Sequence, residues 1–86
     1  MRTNGIRELQ ALIEDTREKA RRYYDKAEEF DKRRADASQA GAQTNAERYK
    51  TRANMYDLLS EELDKIADEM DEIVNDIVAD INATIR

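Results

Sequence analysis

Apolar and small residues recur along this chain at alternating steps of three and four, the period at which side chains share one stripe of a helix. From Ile6 the stepping passes through Leu9, Ile13, Thr16, Ala20, Tyr23, Ala27, Phe30, Arg34 and Ala37, with Arg34 as its one charged break. A second series starts at Ala46 and runs through Tyr49, Ala53, Tyr56, Ser60, Leu63, Ala67, Met70, Val74, Ile77 and Ile81 to Thr84. The pattern predicts two long amphipathic helices, helix 1 over about 4–40 and helix 2 over about 45–85, within one domain spanning 1–86.

Between the two series lies the segment Ser38-Gln39-Ala40-Gly41-Ala42-Gln43-Thr44-Asn45. Gly41 suits the left-handed residue that ends a helix. Thr44 followed by Glu47 has the spacing of a capping box opening a new one, so the turn is expected over 41–44. Thr3 or Asn4 is expected to cap helix 1. Each helix is then about 55 to 60 Å long at a rise of ~1.5 Å per residue. The competing topology is one uninterrupted helix of roughly 130 Å by the same rise, paired with a second copy.

Folding the chain at Gly41 sets Phe30 level with Ala53, Ala27 with Tyr56, Tyr23 with Ser60, Ala20 with Leu63 and Ile13 with Met70. Four of these five layers oppose a large residue to a small one, which close packing of two helices favours. The fold class is therefore all-α: an antiparallel two-helix coiled-coil hairpin, expected to dimerise into a four-helix bundle. On one flank of the seam Arg17 falls near Asp64, Asp31 near Lys50 and Tyr24 near Asp57, mostly opposite signs that help choose register. Arg34 falls opposite Tyr49 and is expected to lay its guanidinium on a tyrosine ring.

The other flank carries Leu12, Leu59, Ile66 and Ile73 with only Lys19 and Lys26 beside them. Two helices cannot bury this stripe, and a long apolar strip open to water marks an interface. Those four residues, with the off-seam Tyr24 as a partner anchor, are the candidate interface. The partner implied is a second copy or another helical protein.

Composition narrows the chemistry. The 86 residues include neither His nor Cys, so thiol nucleophiles, disulfides, the commonest general base and the usual zinc ligands are missing. No residue is a candidate for catalysis, and neither a cofactor, a metal nor a small-molecule substrate is expected. Charged residues make up 41% of the chain, and there is no Pro to interrupt a helix. No stretch approaches a membrane span and Met1–Gly5 lacks an apolar leader core, so a cytoplasmic location is expected, with leaderless export as the alternative.

From Asp57 to Asp80 ten carboxylates stand against Lys65 alone, while the whole chain has a net charge of −5. This disfavours direct nucleic-acid binding. It also offers an acidic face, Asp64, Asp68, Asp71, Glu72 and Asp76, that could occupy a basic site on a target protein. Two functions of different class follow. One is a non-enzymatic interaction module acting by self-association, in assembly or as an adaptor; the other is a small acidic inhibitor of a nucleic-acid-binding protein, as in viral or mobile-element counter-defence.

The layout of two helices about a central Gly turn resembles the small WXG100 hairpins, which implies dimerisation and export. The resemblance covers the architecture alone. Gln39 stands where their turn Trp would be, and hardly any chain follows helix 2 to carry their export signal.

Overall fold

The computed structural model describes residues 2–85. Two helices, α1 (Arg2–Gln39) and α2 (Gln43–Ile85), fold back on one another into a hairpin 68 Å long and 16 by 12 Å across. A single continuous helix is thereby excluded.

The reversal is made by a short backbone motif. The Ala42 amide donates to the Ala37 carbonyl (2.8 Å) and the Gly41 amide to that of Ser38 (3.1 Å). Gly41 has φ +78°. This paired pattern about a left-handed residue is a Schellman cap, and it satisfies carbonyls that the end of α1 leaves without partners. The next helix starts almost at once, with the Ala46 amide donating to the Ala42 carbonyl at 3.0 Å. Ala42 therefore occupies the cap position expected of Thr44, which lies inside the first turn of α2. Thr3 and Asn4 likewise fall inside α1, whose backbone is already helical at Arg2. A side chain caps only where the backbone leaves the helix, and here it does so at neither place.

Every residue of the two heptad series is at least partly buried except Thr84. The series divide into two rows with different roles. One row holds Ile13, Ala20 and Ala27 on α1 and Ala46, Ala53, Ser60, Ala67 and Val74 on α2, and all of these are buried. The other row, with Leu9, Tyr23, Tyr49, Tyr56, Leu63, Met70 and Ile77, is half-buried, and only Phe30 in it is buried.

The expected levels hold, with Phe30 between Tyr49 and Tyr56 and so level with Ala53, and Ile13 with Ala67 and Val74 and so level with Met70; the structure adds contacts between neighbouring levels. Tyr23 stacks on Tyr56 with ring centroids 5.7 Å apart, and Phe30 stacks on Tyr56 at 5.7 Å and on Tyr49 at 6.1 Å. Small residues meet small ones along the other side, where the Ser60 hydroxyl reaches the backbone of Ala20. Small side chains let the helices close on one side while aromatic rings span the wider gap on the other. Nearer the open end Ile13, Ala67 and Val74 form the buried core, with Ile6, Leu9 and Met70 packed against it.

The expected ionic contacts also rearrange. Arg17 pairs with Asp68 (3.0 Å) and Asp71 (3.3 Å) rather than with Asp64. A long guanidinium stem reaches along the helix, so it finds the carboxylates one and two turns beyond Asp64. Asp31 is taken by Arg34 at 2.9 Å on its own helix, not by Lys50, because a neighbour three residues away costs less side-chain freedom to hold. Arg34 is thus committed to a carboxylate. The guanidinium groups over an aromatic ring are those of Arg33 and Arg52, 5.2 and 5.7 Å from the centroid of Phe30.

Candidate interaction surface

In a heptad the positions flanking the two core rows lie on opposite sides of the helix pair. Leu12, Leu59, Ile66 and Ile73 occupy the flank beside the large row, and each remains exposed, at 51%, 40%, 45% and 53%. They do not stand alone. The half-buried Leu9, Tyr23, Leu63, Met70 and Ile77 adjoin them, so exposed and half-exposed apolar groups merge into one face along the open half of the hairpin. Toward the turn that face ends where Arg33 and Arg52 cover Phe30.

Tyr24 is half exposed but belongs to the other flank, with the small row. It lines two adjoining open grooves: one with Ala27, Glu28, Asp31, Ala53 and Asp57, the other with Arg17, Arg21, Ser60 and Asp64. Small side chains, Ala27 and Ala53 in the first groove and Ser60 in the second, leave space there that longer ones would fill. Tyr24 thus stays on the flank opposite the four aliphatic residues, as its heptad position places it. Hydrogen bonding to Glu28, and then the negative charge of that carboxylate, raise the Tyr24 phenol above its ordinary pKa; Asp57 and Asp25 act in the same direction.

The five acidic residues are all exposed, yet they do not form one face. Asp64 borders one of the grooves, while Asp68 and Asp71 are engaged by Arg17, whose own pKa is raised chiefly by the hydrogen bond to Asp68. By heptad position Glu72 points outermost and Asp76 lies toward the apolar flank. Among the described residues no group of three or more carboxylates is placed to hold a metal ion. No described helix is long and apolar enough to cross a membrane.

Three exposed apolar residues were not singled out by periodicity: Met55, Leu58 and Val78. Met55 is the one that matters to the surface, since its heptad position adjoins the flank of Leu59 and extends the face toward the turn. Its own seven-residue series, Arg48, Met55, Glu62, Glu69 and Asp76, is otherwise charged, so periodicity carries no signal for it. No family model, curated protein or solved structure matches this chain.

Proposed function

We propose that this protein is a non-enzymatic helical interaction module that associates with itself through the apolar flank, closing two hairpins into a four-helix bundle and serving in assembly or as an adaptor. The observation that carries this reading is the row Leu12, Leu59, Ile66 and Ile73, exposed on the two helices and continuous with a half-buried large row. At about half exposure each has on the order of 1 kcal/mol of burial still to gain, and a two-fold contact uses each of them twice. Bundles of this kind form by closing such flanks over one another.

The test is light scattering after size exclusion. Wild type is expected at twice the monomer mass, and Ile66→Glu with Ile73→Glu at the monomer mass with its helix content kept. Equal masses for the two proteins would remove the proposal. The inhibitor reading gains less support, since its five carboxylates are spread over several sides of α2 and two of them already share Arg17.

A further inference from the structure

The row on α2 that carries most of the stripe also holds information about how a second copy would lie on it; this inference rests on the self-association proposed above. At seven-residue spacing the row reads Arg52, Leu59, Ile66, Ile73, Asp80, and all five are exposed. It is symmetric in hydropathy about Ile66, with opposite charges at its two ends.

We propose that the apolar face is covered by a second copy of this chain lying antiparallel to the first, with the two-fold axis crossing at Ile66, so that α2 packs on α2 and α1 on α1. Ile66 then meets its own counterpart, Leu59 meets Ile73, and Arg52 meets Asp80 of the second copy. Because the contact is two-fold, each unlike pair occurs twice.

α1 supplies an independent check on the same axis. Ile13 packs between Ala67 and Val74, which puts the stretch around Arg17 and Glu18 level with Ile66. An axis crossing there brings Lys19 level with Asp15 and Lys26 level with Glu8 of the second copy. All four side chains are exposed, and none takes part in an ion pair within the hairpin among the described residues. Charges left open on one chain thus find partners on the other.

The other two-fold arrangement runs its axis along the hairpin and lays α2 over α1 at the same level. That places Arg52 over Arg33, like charges at the turn end of the contact. Exposed pairs contribute modestly to affinity, but like charges set against like select against an arrangement.

The orientation is measurable with a spin label at Gln43→Cys, in a chain that has no other cysteine. Gln43 lies some 35 Å along α2 from Ile66 at ~1.5 Å per residue, so the antiparallel pair separates the two labels by about 70 Å, whereas turn-to-turn packing brings them within about 30 Å. A dimer mass with the long distance supports the inference. A dimer mass with the short distance overturns it and leaves self-association standing, whereas a monomer mass at all concentrations removes both. A charge exchange gives a second reading. Asp80→Arg should weaken the dimer about tenfold at low salt, roughly 1.4 kcal/mol, and adding Arg52→Asp should restore it to within about twofold. Failure of the double exchange to restore it would sink the Arg52–Asp80 pairing.

Discussion

The hydroxyl of Ser60 donates a hydrogen bond of 2.8 Å to the backbone carbonyl of Ala20, on the opposite helix and forty residues away. A hydroxyl one bond from Cβ can reach a helical carbonyl only if the two helices run very close, and the buried alanines on either side, Ala20, Ala27, Ala53 and Ala67, allow that approach. Ser60→Ala should cost about 1 kcal/mol, the net worth of one buried hydrogen bond. Ser60→Leu should cost more, about 1–3 kcal/mol, by forcing the helices apart. Urea unfolding followed by circular dichroism separates the two, and a Leu variant as stable as the Ala variant would argue against close approach at this level.

Gly41 carries the reversal at φ +78°, and an added Cβ would meet no atom within 4 Å. The cost of Gly41→Ala is therefore one of backbone conformation rather than of space, about 1–2 kcal/mol. Gly41→Asn should cost less, because Asn tolerates the left-handed region. Equal losses for the two variants in urea unfolding would show that a steric clash dominates instead.

Arg17 bridges Asp68 and Asp71 across the helices, at the surface. Arg17→Gln should lower the urea midpoint slightly at low salt, and the difference from wild type should shrink toward zero near 1 M salt, where charges interact over only about 3 Å. A difference that persists in high salt would assign Arg17 a packing role through its stem.

The Tyr24 phenol should titrate above its ordinary value because Glu28 favours the protonated form. Glu28→Gln should return it toward that value, as read by tyrosinate absorbance. A group whose folded pKa lies above its unfolded one binds more protons in the folded state as pH passes between the two values. The associated stability is therefore complete below the unfolded phenol pKa and is lost as pH rises through the folded one. Alkaline unfolding should set in at lower pH for wild type than for Glu28→Gln.

The two helices, the location of the reversal and the identity of the seam are legible in the amino-acid pattern alone. Those features follow from a heptad period, a single interior Gly and the absence of Pro, all local properties of the chain. The exposure of Leu12, Leu59, Ile66 and Ile73 was legible for the same reason, since a two-helix seam has no room for a third row. Other features had to wait for the two helices to meet. Periodicity places Tyr23 and Ala20 equally on the seam, but only packing decides that rings stack on rings while alanines and Ser60 close the opposite side. The partners of Arg17 and Arg34 were undetermined for a related reason, as a flexible charged stem reaches several carboxylates at similar cost. Heptad position alone set Tyr24 on the flank opposite the aliphatic residues, and tertiary structure added the grooves beside it, because which side of a hairpin opens into grooves depends on where its smallest side chains come together.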